Sequence, residues 1–82
     1  MQIHVLGCAG AIAQGAHTSA FLVDSAIALD AGTGLGQLPL AQMHHIDHVF
    51  LSHAHLDHIA ALPLFLDSVI ANRTQQQRPP VR

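Results

Sequence analysis

The run His53-Ala54-His55-Leu56-Asp57-His58 gathers three imidazoles and one carboxylate into six consecutive residues. Histidines two apart in an extended segment project to the same side, so His53 and His55 can grip one cation together. Asp57 and His58 follow at the point where the chain is expected to turn into helix, and they can face a second cation beside the first. Imidazole nitrogens and carboxylate oxygens suit zinc, and they also hold iron or manganese. Two cations roughly 4 Å apart lower the pKa of a bridging water and steady charge on a leaving oxygen, which is hydrolytic chemistry. Four ligands shared by two cations close neither site, so further ligands must come from elsewhere. After His58 there is no histidine, and the only later carboxylate is Asp67.

These side chains need a frame. The stretch from Met1 to Leu6 alternates loosely through Ile3 and Val5 and predicts a strand at the terminus. Residues 7–15, rich in Gly and Ala, read as a loop. Ser19 to Asp24 predicts a second strand, and Ser25 turns it into a third, Ala26 to Asp30. Strands joined so tightly form a hairpin. Asp30-Ala31-Gly32-Thr33-Gly34-Leu35-Gly36 is turn chemistry. Leu38 to Met43 predicts a short helix ending near His44 and His45. Asp47 to Ser52 reads as a compact, buried strand that delivers the histidine motif. Beyond the motif a short turn of helix is expected over Asp57 to Ala61. A second helix follows with Pro63 in its first turn, where a missing N–H costs nothing. Ile59, Leu62, Leu66, Val69 and Ile70 recur at helical spacing. Residues 1–71 then form one unit, and 72–82 read as a polar linker or a truncated end.

Composition narrows the function classes. Half of the 82 residues are apolar, enough for a small core, with Phe21, Phe50 and Phe65 as the only aromatic rings besides histidine. Three arginines, no lysine and five aspartates give a net charge of −2. That is too little cation for a nucleic-acid footprint or a polybasic membrane contact, so neither partner is expected. No run of eighteen apolar residues exists. Cys8 is the single cysteine, which excludes an internal disulfide and fits a reducing compartment, with cytoplasm as the default. It reads as a small buried residue. No Lys or Arg precedes Val5-Leu6-Gly7-Cys8 and the apolar stretch is far too short, so a lipoprotein signal is not expected.

The remaining histidines carry weaker signals. His17 reads as a solvated loop residue, His44 and His45 as helix-end residues that suit the dipole, and His48 as the start of a strand. His4 has no assigned role. The glycines at 32, 34 and 36 lack the third-glycine spacing and following helix of a dinucleotide loop.

The motif resembles the signature of the metallo-β-lactamase-fold hydrolases. The longer stretch from Phe50 to Pro63 is similar to one branch, the class II cyclic-nucleotide phosphodiesterases, and around the motif to the tRNA 3′-processing endonucleases. Ile3-His4-Val5-Leu6-Gly7-Cys8 and Leu29-Asp30-Ala31-Gly32-Thr33-Gly34 also resemble that branch, whereas Ala61 stands where it tends to carry Gly or Ser. The resemblance implies an α/β fold, the N-terminal part of an αββα sandwich, with one mostly antiparallel sheet plus helices. It implies His53 and His55 on one zinc, Asp57 and His58 on a second, with manganese or iron as substitutes. Asp57 would also orient or deprotonate the attacking water, and Asp30 would hold a ligand histidine or the turn.

The function so implied is a metal-dependent phosphodiester hydrolase, with a 3′,5′-cyclic nucleotide as the small-molecule substrate, present as an incomplete N-terminal fragment. The alternatives are a catalytically inactive metal-binding remnant, an RNA-processing nuclease, and a thioester or lactone hydrolase of the same fold. A lone sheet lacking its partner layer would expose an apolar face and self-associate.

Overall fold

A computed structural model describes residues 1–11, 13–52 and 55–82. Four strands form one sheet in the order β1 (Ile3–Gly7), β2 (Ala20–Val23), β3 (Ile27–Leu29) and β4 (His48–Phe50). The first two pairings are antiparallel, and β4 lies parallel to β3. A mostly antiparallel sheet with helices is the expected fold class.

The β2–β3 hairpin turns on Asp24 (φ 51°) and Ser25 (φ 66°). Two central residues with positive φ make the turn whose twist matches the flanking strands. Asp24 also ties the turn to the neighbouring strand, since the Gln2 N–H donates to its carboxylate at 2.7 Å.

The parallel β3–β4 pair needs a crossover, because a tight hairpin cannot join parallel strands. A 3-10 helix, Thr33–Gln37, and a short helix α1, Leu40–Met43, supply it. The glycine-rich segment read as a turn is thus partly helical, and it packs against β1, β2 and α2 (Leu56–Ile59). His44 caps α1, as its position at a helix end suggested.

Helix α3 spans Leu62–Gln75 with Pro63 in its first turn. It buries Phe65, Val69 and Arg73, a stripe with a spacing of four. Leu66 and Ile70, expected inside by the helical period, are exposed instead.

One face of the sheet carries the core. Leu22, Ala28 and the half-buried Val49 share a register row and pack with Leu6, Leu35, Ile46, Phe65 and Val69. The opposite row contains Ile3, Val5, Leu29 and Phe50, which are 59%, 54%, 38% and 57% exposed. The strand expected to be buried, β4, therefore has one wet face, and its His48 ring stacks on Phe50. Cys8, expected inside, is exposed. An alternation of apolar residues cannot say which of two apolar rows finds a partner layer.

The segment read as a linker has local structure of its own. Helix α3 continues to Gln75, and the chain folds back beneath it. Arg73, 3% exposed, is the reason. Its guanidinium donates to the Ile46 carbonyl at 3.0 Å, the Pro79 carbonyl at 2.7 Å and the Asp47 carboxylate at 2.8 Å. Arg78 donates to the His44 carbonyl and to the same Asp47 oxygen. Arg82 then exchanges backbone bonds with Asp47 and Val49 along the outer edge of β4. A buried arginine looks polar in sequence, so the pattern hides that it sits on the core stripe.

Hydrogen bonds from Arg73, working against partial burial and joined by Arg78, hold the Asp47 carboxyl below its ordinary value of 3.8. A depressed folded pKa means stability that is complete above that ordinary value and is lost as the pH falls through the folded one. Asp47→Asn is expected to cost on the order of 1 kcal/mol at pH 7, a modest figure because the carboxylate is partly solvated. Urea unfolding should show the same gap from the native chain at pH 5, and a shrinking one below 3.8. The exposed sheet row carries a second expectation. Sedimentation velocity should show concentration-dependent association that Val5→Thr with Phe50→Ser reduces; a strict monomer for the native chain would contradict it.

Candidate metal centre

Parallel pairing of β3 and β4 puts the C-terminal ends of both strands at the same end of the sheet, and the candidate site grows from there. The Asp30 N–H donates to the Phe50 carbonyl at 2.7 Å, which closes the ladder between the two strand ends. Asp30 itself takes φ 62°, a left-handed backbone that costs a non-glycine residue on the order of 1 kcal/mol. Its contacts explain why it stays there. The carboxylate accepts the Ser52 N–H at 2.8 Å and the Ser52 hydroxyl at 2.9 and 3.0 Å. Its Oδ2 lies 2.8 Å from Nδ1 of His58.

Helix α2 is clamped to the same turn through its backbone. The Ala31 N–H donates to the His58 carbonyl at 2.6 Å, and the Ala31 carbonyl accepts the Ala61 N–H at 2.8 Å. Residues 30–31 thus hold the His58 ring, its carbonyl and the Ala61 N–H that follows. Asp30 performs both tasks considered for it, anchoring a histidine and the turn.

Charge follows from these contacts. Burial opposes ionisation of Asp30, which is 6% exposed. The Ser52 backbone N–H, the His58 ring and the Ser52 hydroxyl outweigh that penalty and hold the carboxyl below its ordinary range. An ionised carboxylate only accepts, so Nδ1 of His58 carries the proton facing it. In the neutral ring Nε2 then presents a lone pair.

That nitrogen lies 3.4 Å from Oδ2 of Asp57. Two electron-pair donors face each other across this gap, an arrangement that calls for a proton or a cation between them. For bonds of 2.0–2.2 Å, the edge of a tetrahedron around zinc is about 3.3–3.5 Å. The spacing of these two atoms therefore fits one metal ion.

His55 is exposed and occupies the N-cap of α2, with no side-chain cap bond. His53, its expected partner on the first metal, lies outside the described residues, as does Ala54. Among the described residues, no three His, Cys, Asp or Glu side chains converge as a metal-holding group. His4, His45 and His48 are exposed, while His17 and His44 are half-buried. Ser52 is the contributor that sequence reasoning passed over. A serine directly before a histidine motif and a buried aspartate at a parallel strand end were its only signals.

No protein-family model matches the chain, and no curated protein matches it. Among solved structures it is similar to the metallo-β-lactamase fold protein YhfI from Bacillus subtilis. The two are 27% identical over 89% of this chain, with a TM-score of 0.67. This chain has part of a metallo-β-lactamase fold. It covers 32% of the length of that neighbour. A metallo-β-lactamase fold generally binds zinc, and the chemistry of Asp57 Oδ2 and His58 Nε2 agrees with that.

Asp30→Asn keeps the shape of the anchor but removes the charge that fixes the His58 ring. Zinc affinity is expected to fall ten- to a hundredfold, as measured by competition with a chromogenic chelator.

Proposed function

We propose that this chain supplies the N-terminal part of a two-metal phosphodiester hydrolase site, with a 3′,5′-cyclic nucleotide as substrate. His53 and His55 would hold one ion, and Asp57 and His58 the other. The observation that supports this reading is the 3.4 Å approach of His58 Nε2 to Asp57 Oδ2, with the far side of the same ring tied to Asp30.

Bound there, the metal ions would lower the pKa of a water and offset charge on the leaving oxygen. The chain's own residues do the rest. Asp30 and Ser52 keep the His58 ring from rotating, so Nε2 stays directed at the site. The Asp57 side chain, 27% exposed, can accept a proton from a water beside it. Asp57 lies in the first turn of α2, directly before His58. The low count of cations favours a small substrate over an RNA strand, which would need a basic track along its backbone.

A second reading, metal binding without turnover, needs only the pair of donors that the described residues bring together, Asp57 and His58.

Zinc and manganese titrations with 3′,5′-cyclic AMP, a short RNA and a thioester separate these readings. Metal-dependent release of 5′-AMP once the missing downstream ligands are supplied, abolished by Asp57→Asn, is the expected outcome. Zinc binding without hydrolysis of any of the three, with those ligands supplied, would establish the non-catalytic reading. Zinc binding that survives His53→Ala with His55→Ala, and also Asp57→Asn with His58→Ala, would dismiss the site assignment.

A further inference from the structure

A second set of residues backs Asp57, and the hydrolytic reading leaves it unused. Gly32 has φ −71° and ψ −177°, angles that any residue adopts, so glycine is needed there for space and not for backbone freedom. A Cβ on Gly32 would overlap the Asp57 carbonyl oxygen and Thr18 Oγ1, and would come within 2.7 Å of the Ser19 nitrogen. The backbone at Gly32 is therefore wedged between the carboxylate-bearing residue of the candidate site and the start of β2.

That wedge is itself fixed. The Thr33 N–H donates to Thr18 Oγ1 at 2.7 Å, and the Thr18 N–H donates to Thr33 Oγ1 at 2.9 Å. The Gly32 N–H donates to the Ser19 carbonyl at 2.8 Å, and the Gly34 N–H to the Thr18 carbonyl at 3.1 Å. Thr18 is 2% exposed, so these bonds are shielded from competing water. Thr18, Thr33 and Asp57 also share the wall of a cavity of about 340 Å³.

We propose that Gly32 and the reciprocal Thr18–Thr33 pair form a positioning device for Asp57, setting the separation of its carboxylate from His58 Nε2. This rests on the reading of Asp57 and His58 as joint ligands. The reasoning is geometric. The backbone on the His58 side is held by Ala31, and that on the Asp57 side abuts Gly32. A displacement of about 1 Å on the Asp57 side alone takes the two donor atoms out of the range one ion can bridge.

Cobalt(II) titration of the 82-residue chain, followed by its visible absorption band, tests the proposal. Asp57→Asn is the reference and is expected to weaken binding and shift the band. Gly32→Ala and Thr33→Val are each expected to weaken binding tenfold or more and to shift the band the same way. Their far-UV circular dichroism should stay unchanged, and Thr33→Ser should restore the native values. Folded Gly32→Ala and Thr33→Val chains with native affinity and spectrum, alongside an altered Asp57→Asn chain, would overturn the positioning role alone. An Asp57→Asn chain indistinguishable from the native one would instead remove the ligand reading, and the proposal with it. If Gly32→Ala does not fold, the two Thr33 variants decide, and equal cobalt binding by both counts against the proposal.

Discussion

The buried carboxylate of Asp30 is the interaction around which the rest of the site is arranged. It sits where two parallel strands end, and in one small volume it accepts from Ser52 and holds the ring of His58. Removing a carboxylate from water is costly unless hydrogen bonds replace the lost hydration. Here three donors do so, and the same bonds dictate the loop leaving β4, the tautomer of His58 and the placement of α2. The left-handed backbone at Asp30 is a local cost accepted for this convergence. Glycine would relieve the backbone but lose the anchor.

A second polar cluster, at the other end of β4, performs a similar task for the scaffold. Asp47 receives both Arg73 and Arg78, and Arg73 also satisfies the Ile46 and Pro79 carbonyls. Strand β4 is only three residues long, too short to be held by its ladder alone. Asp47 precedes it and Ser52 follows it, each tied by charge-assisted bonds to a different part of the fold. The placement of β4 thus depends on a pair of clusters, one at each end of a short strand. Helix α3 contributes through the buried end of its stripe, where Phe65, Val69 and Arg73 occupy successive turns.

Much of this was legible in the residues. Four strands, the hairpin, the helix carrying Pro63 and the helical turn after the motif follow from periodicity and turn chemistry, with boundaries displaced by a few residues. The resemblance in His53 to His58 pointed to the fold that the solved neighbour shares. Periodicity was less informative on burial. Leu66 and Ile70 fit a helical stripe yet face outward, Phe50 is exposed, and Arg73 lies inside. Each error has one cause: apolarity states what a side chain would gain from burial, and the partner surface decides whether it is buried.

By itself, the sequence determined the element types, the donor chemistry of the motif and the scarcity of cation, because these depend on neighbours along the chain. Tertiary structure alone decided that Asp30 meets Ser52 and His58 across 22 and 28 positions of sequence. It likewise decided that Gly32 abuts Asp57 and that Arg73 closes over Asp47. Such contacts arise from the parallel crossover that brings β4 beside β3, and no local pattern encodes which distant residues that crossover places within hydrogen-bond reach.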